Sequence, residues 1–320
     1  MKDDTTFERG RWPEVVAIVL NWNGRTIRYN SKSILESCLS TLTKTDYGNL
    51  RIIVVDAEST DDSVAFTKKH YKVVDILSVE NRGWAYGNNI AIKFAFKKYP
   101  NARYFVVLNN DLIFDDRRWL KKMIVATEHN SAELCGCQLV YPDGKVQFGG
   151  GRISALGIKF TKDKATSSKS RFTPILTGAV LLVKREVFLK IGYFDETFLP
   201  FNWEDAEFVT RAQKAEFNSY YVGNTKIEHL ESFTINSSDT KNRWSNEMIV
   251  RATRRNGYIY YLRYRRYLLP FYFVADFISN FVALNPNLCL REWETIRIRL
   301  KTQLSAFSAA LKSFKEYKTK

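Results

Sequence analysis

The 320-residue sequence has little of what marks a secreted, disulfide-stapled or zinc-clustered protein. Its four cysteines (Cys38, Cys135, Cys137, Cys289) lack disulfide or zinc-type spacing, and the lone C-x-C at 135–137 reads as two buried structural thiols. The opening MKDDTTFERGRWPE is charged and has no apolar h-region, so the expected compartment is the reducing cytoplasm. The apolar, aromatic stretch 268–284 is 17 residues long and interrupted by Pro270, Asp276 and Asn280. A membrane span needs about 20 mainly apolar residues. No G-x-G-x-x-G follows the first apolar run and no G-x-x-x-x-G-K-[ST] occurs, which argues against dinucleotide oxidoreductases and P-loop nucleotidases.

What is present points to a folded catalyst with a basic end. Hydrophobic content of 45% and charged content of 26% are those of a globular chain, long enough for one large domain or one domain with an appendage. Of the net +15, eleven charges lie in residues 241–320, which hold sixteen Lys/Arg against five Asp/Glu. Such an excess serves nucleic acid, anionic lipid or an anionic substrate. In 251–267 arginine alternates with tyrosine, and the aromatic segment 268–284 follows. Basic residues beside aromatics suit the surface of an anionic bilayer. The alternative is that the aromatics pack on the main domain and the arginines are solvated. No recognisable nucleic-acid-binding fold accompanies the pattern, so no nucleic acid partner is expected.

The first 110 residues alternate between β-branched runs (15–20, 51–56, 72–77, 103–111) and helical stretches (about 31–43, up to Lys69, 84–99). That rhythm predicts an α/β fold with a mostly parallel sheet and helices on both faces. Ligands of such sheets bind beyond the carboxyl ends of the strands. Those ends read Asn21-Trp22-Asn23-Gly24, Asp56-Ala57-Glu58-Ser59 and Asn109-Asn110-Asp111, polar as a binding crevice requires. Further on, 141–151 predicts a hairpin, 175–192 a strand running into a helix, and Asn202 with Asp205 an N-cap for a helix to about Ala215. Three carboxylates (Glu204, Asp205, Glu207) crowd there between Phe201, Trp203 and Phe208.

The series VAIVLNWNG, IIVVDAESTDDS, NRGWAYGNN, VVLNND, LTGAVLLVKREVFLKIGYFDETF, NWEDAEFVTRA and IEHLES runs in this order over 15–232, about 70% of the chain. It resembles a family 2 glycosyltransferase of the GT-A fold, near the rhamnosyltransferase-like and galactofuranosyltransferase-like branches. The resemblance implies a catalytic domain over 1–235 and leaves 236–320 as a basic, aromatic helical region docking on the membrane. It implies an inverting enzyme of cell-surface polysaccharide synthesis, peripheral at the inner face of the cell membrane. The donor would be a dTDP- or UDP-sugar and the acceptor a glycan or lipid-linked hydroxyl. Asp205 falls on the general base, since the attacking hydroxyl must lose a proton and neighbouring aromatics raise a carboxyl's affinity for it.

Glu204 and Glu207 lie three apart on one helix face, where one would orient the acceptor and the other hold Arg211. Trp203 would stack on a sugar ring. Asp111 is the only carboxylate in the D-x-D-like position and, with His229, would hold Mg²⁺ or Mn²⁺; His70 and His129 carry no signal. Asn21, Asp56, Glu58, Asn81, Arg82, Gly83, Asn89 and Asn110 would meet the nucleotide sugar, with Gly83 and Gly87 letting the backbone approach it. Asp61 is either part of that pocket or a helix cap. Two other readings stay open: an inactive nucleotide-sugar-binding module and a membrane-assembly scaffold. The oligomeric state is also open, a homodimer among the options.

Overall fold

The structure, a computed structural model, describes residues 12–230, 246–280 and 289–318. Runs such as Val15–Leu20 have no polar face, and a strand of that kind persists only where both faces of its sheet are covered. β1 (Val15–Asn21) accordingly lies at the centre of the sheet. α1 (Ile34–Leu42), β2 (Leu50–Ala57), α2 (Ser63–His70), β3 (Val74–Val79), α3 (Trp84–Lys98) and β4 (Tyr104–Asn109) complete the alternating half. The strands named are all parallel, as expected, and a separate antiparallel pair joins Arg28–Tyr29 to Lys32–Ser33. Registration of Asn21 beside Asp56 and Leu20 beside Asn109 sets the polar strand ends side by side.

The second half departs from the expected parallel rule. It runs through β5 (Leu112–Ile113), α4 (Trp119–His129), β6 (Leu134–Val140), β7 (Val146–Phe148), β8 (Arg171–Phe172), β9 (Val180–Lys184), α5 (Arg185–Ile191), α6 (Glu204–Lys214) and β10 (Ser219–His229). The ten-stranded sheet has the order β8-β10-β6-β9-β4-β1-β2-β3, with β5 on β10 and β7 on β6. β9 is antiparallel to both β4 and β6, so the sheet is mixed. No crossover helix precedes β9, and antiparallel pairing needs none. The hairpin and the strand-to-helix step at 180–191 are present as expected. α1 starts later than the pattern suggested because the Ser33 hydroxyl accepts from the Glu36 N–H at 3.2 Å and caps it there. Cys38, Cys135 and Cys137 are buried free thiols, and burial pushes Cys38 up to about 12.

The C-terminal helices α7 (Asn246–Tyr264), α8 (Leu269–Ser279) and α9 (Cys289–Lys318) are where expectation and structure diverge most. Tyr258, Tyr260 and Tyr261 of α7 are fully buried, in a cluster shared with Ile175, Phe198, Trp203 and Ala206. The aromatic stripe of 251–267 therefore packs largely on the α/β part of the chain. Two of its arginines are ion-paired, Arg254 with Asp276 at 3.1 Å and Arg263 with Asp195 at 2.5 Å, while Arg251 and Arg266 are exposed. The expected boundary at 235/236 and residues 281–284 of the apolar segment lie outside the described residues. No helix among those described is long and apolar enough to cross a membrane.

Candidate active site

The strand ends build a buried polar lattice. Asn21 Nδ2 donates to Asp56 Oδ1 at 2.9 Å and to Ser59 Oγ at 3.2 Å, while its Oδ1 accepts from Asn110 Nδ2 at 2.8 Å. Asp56 Oδ2 accepts from the Ser59 N–H at 3.1 Å and so closes the turn after β2. Asp61 precedes the first turn of α2: its Oδ1 accepts from the Ser63 N–H, and its Oδ2 accepts from the N–H groups of Arg25 and Thr26. Glu58 and Arg82 are exposed at the rim, with Asn81 partly so. Glu58 Oε2 accepts from the Asn81 N–H at 3.1 Å, joining the loops after β2 and β3. The Arg82 guanidinium lies 4.6 Å from the Tyr86 ring centroid.

Asp111 and His229 are brought together by the pairing of β5 with β10, in which His229 sits opposite Leu112. Both are buried, and His229 Nε2 lies 3.1 Å from Asp111 Oδ1. His229 Nδ1 is 2.7 Å from Gln147 Oε1, and an amide oxygen only accepts, so Nδ1 carries a proton. In the neutral ring Nε2 then offers its lone pair, with the Asn109 amide 3.3 Å away. Asp111 Oδ1 makes no hydrogen bond among the described residues. A lone pair facing an orphaned carboxylate oxygen is a donor set that suits a divalent cation, with Gln147 orienting the imidazole from behind. Among the described residues no third His, Cys, Asp or Glu joins them.

Residues 200–208 form the opposite wall. Asn202 (φ 74°) and Trp203 (φ 77°) are both left-handed, a conformation that disfavours large side chains, and α6 starts directly after them. The expected Asn202 cap is not made: Trp203 occupies the N-cap position, one residue further on, and the Asn202 amide donates to Thr253 Oγ1 at 2.8 Å. Asp205 is half-buried; its Oδ2 accepts from the Gly178 N–H at 2.8 Å. Burial raises its pKa, against the lowering effect of the Gly178 bond. Glu204 is 6% exposed, its Oε2 lacks a partner among the described residues, and burial followed by the Asp205 charge pushes its carboxyl well above the ordinary range.

A continuous run of contacts connects the two walls. The position of a Gly178 Cβ is filled by the Trp84 ring. Trp84 Nε1 donates to Asn109 Oδ1 at 3.3 Å, and Asn109 reaches His229. Gly178, Trp84 and Gln147 thus join the candidate site although residue type alone did not single them out, whereas Asn109 was already part of a polar strand end. For Gly178 the signal was its place in LTGAVLLV.

Five residues expected at the ligand make contacts within the chain instead. Gly83 (φ 107°) is required because a Cβ would collide with the Pro200 carbonyl, so its close approach is to Pro200; Gly87 likewise packs on Leu20. Asn89 clamps the 194–196 turn, donating to Phe194 O and Glu196 Oε1 and accepting from Phe194 N–H. Glu207, 1% exposed, is held by Arg211 (2.9 Å) and the Tyr264 hydroxyl (2.6 Å), which leaves it no face for an acceptor. Trp203 is buried against Tyr260 (ring centroids 5.1 Å apart) rather than open to a sugar. Apart from Arg211, which pairs with Glu207 within α6 as its spacing suggested, the partners come from segments distant in sequence.

A model of glycosyl transferase family 2 matches residues 26–192, just over half of the chain. A protein of Sinorhizobium fredii described as uncharacterized is 24% identical over 63% of this chain, and the O-antigen biosynthesis protein RfbC of Myxococcus xanthus 23% over 60%. The matches span only 23% and 16% of those two proteins. Among solved structures, the mannosyltransferase PcManGT from Pyrobaculum calidifontis, in complex with GDP-Man and Mn²⁺, superposes with a TM-score of 0.54 at 16% identity, over 94% of this chain and 87% of that one. GalNAc-T7 with UDP, GalNAc and Mn²⁺ gives 0.61 at 12%, over 94% and 56%. At these identities the likeness establishes the fold, a mixed α/β sheet with flanking helices of the GT-A kind.

Proposed function

The chain belongs to glycosyl transferase family 2, and from that membership we propose that it transfers a sugar, with inversion, from a dTDP- or UDP-sugar to a hydroxyl of a glycan or lipid-linked acceptor. The motif series favours the rhamnosyltransferase-like or galactofuranosyltransferase-like branches, and the likeness to an O-antigen biosynthesis protein favours a cell-surface polysaccharide as product. The observation that carries the reading is Asp205. It is a carboxylate with raised pKa at the start of α6, tied through Gly178, Trp84 and Asn109 to the Asp111–His229 pair.

In the reaction the acceptor oxygen forms a bond to the anomeric carbon while the bond from that carbon to the diphosphate breaks. The diphosphate leaves with the electron pair, and Asp205 takes the hydroxyl proton. Asp111 and His229 would hold Mg²⁺ or Mn²⁺, which when bound would offset the charge of the diphosphate. Glu58, Asn81 and Arg82 receive the donor at the rim, Arg82 being suited to its phosphates. Asn21, Asp56 and Asn110 hold the turn that shapes the nucleoside side. Burial raises the Glu204 carboxyl further than that of Asp205, which leaves Asp205 the more readily ionised of the two. The exposed apolar face of α8, within the basic C-terminal region, would rest on an anionic bilayer and bring a lipid-linked acceptor to the crevice.

Asp205→Asn is the test. It should lower transfer by about a thousandfold, with nucleotide diphosphate binding in the presence of Mn²⁺ changed less than about threefold by calorimetry. Substantial turnover by that variant would overturn the base assignment.

A further inference from the structure

We propose that Asn256 of α7 is a positioning residue for the base: it locks the strained segment 198–202 and thereby fixes Asp205 at the start of α6. The proposal rests on the reading of Asp205 above. Asn256 is fully buried, and its Nδ2 lies 2.8 Å from Phe198 O, 3.1 Å from Phe201 O and 3.0 Å from Asn202 O. An amide group has two hydrogens for these three carbonyls, so one of the bonds is shared. Its own oxygen accepts from Arg255 Nη1 at 3.0 Å, and Arg255 also reaches Leu199 O at 3.5 Å. The remaining carbonyl, Pro200 O, accepts from the Trp84 N–H at 2.9 Å. All five carbonyls of 198–202 therefore point to donors on α3 or α7 and none to a helix or sheet of its own.

This explains how two successive left-handed residues persist. Asn202 and Trp203 at positive φ are unfavourable for L side chains and hold only when the surroundings over-determine them. Asn256 holds the carbonyls on one side, and the stacking of Trp203 on Tyr260 of the same helix holds the ring. Asp205 lies two residues beyond Trp203, and its Oδ2 must meet the Gly178 N–H at 2.8 Å. If 198–203 relaxes, α6 loses its fixed starting direction and Asp205 its place. The C-terminal helical region is then part of the catalytic apparatus.

The experiment compares Asn256→Ala with the wild-type full chain in donor turnover with acceptor, donor binding and the pH profile of kcat/KM. We expect kcat to fall by about tenfold or more and donor Kd to change less than about threefold. The acid limb of the profile should move to lower pH, because a loosened Asp205 is better hydrated and loses the elevation that burial gives it. A role confined to stability would lower the folded fraction without moving the limb. Asn256→Asp puts a carboxylate against three carbonyl oxygens and should be worse than alanine at neutral pH, recovering as pH falls and that carboxyl gains a proton to donate. If Asn256→Ala does not fold, Thr253→Val, which removes the Asn202 anchor near the surface, should shift the limb in the same direction by less. Wild-type kcat and an unmoved limb in a folded variant would overturn the proposal. Activity retained by Asp205→Asn would instead remove the reading beneath it, so the two failures are distinguishable.

Discussion

Glu204 and Asp205 are adjacent, both acidic, and differently placed. Asp205 keeps the Gly178 N–H as a partner and part of its surface, whereas Glu204 is buried with one oxygen unpaired. Two neighbouring carboxylates in such a place cannot both ionise at low cost. Since the folded Glu204 pKa lies above its unfolded value, the folded chain holds a proton that the unfolded chain releases above the ordinary carboxylate range. Stability therefore falls as pH rises from that range towards the folded pKa. Glu204→Gln keeps the shape and removes the titration. Its unfolding midpoint relative to wild type should be near zero at pH 4 and increasingly positive towards pH 8. A difference that stays flat across that range would remove the ionisation argument.

At the scale of elements, the site is made where helix starts meet loops. α3 begins against Pro200, with Gly83 allowing the contact and the Trp84 N–H completing it. Gly83→Ala should destabilise the protein by about 1–3 kcal/mol, from the unfavourable φ together with the collision. Urea unfolding measures this, and a loss below about 0.5 kcal/mol would mean that Pro200 moves aside. The β5–β10 pairing makes the Asp111–His229 contact in the same way, through a two-residue strand that periodicity could not announce.

At the scale of the whole molecule, two apolar clusters form among the described residues, and the second draws on both parts of the chain. Truncating the C-terminal helices would strip Trp203, Phe198 and Ile175 of their packing, so point substitutions are the sounder way to test membrane contact. On α8, Phe271 (61% exposed), Val274 (53%) and Ile278 (53%) share one outward face while Tyr272 and Phe273 pack inward. Phe271→Asp with Val274→Asp should reduce co-sedimentation with phosphatidylglycerol vesicles by at least about tenfold, given about 1.5–3 kcal/mol per buried side chain. Stability should stay within about 0.5 kcal/mol, since both side chains lie at the surface. Undiminished sedimentation would remove α8 as the contact.

The alternation of β-branched runs with helices and the polar strand ends were legible in the sequence. Such features depend on periodicity and on residue types at short spacing, which local sterics and hydrophobic patterning translate directly into elements. Which polar groups would be consumed internally was not legible. Asn89 turns to a segment 105 residues away, Gly83 to Pro200, Glu207 to Tyr264, and Trp203 to the tyrosines of α7. Their chemistry is that of ligand contacts, and nothing in spacing distinguishes a carbonyl of the chain from a hydroxyl of a sugar. Only the tertiary structure decided it, because a buried donor or acceptor bonds to whichever group long-range packing sets beside it.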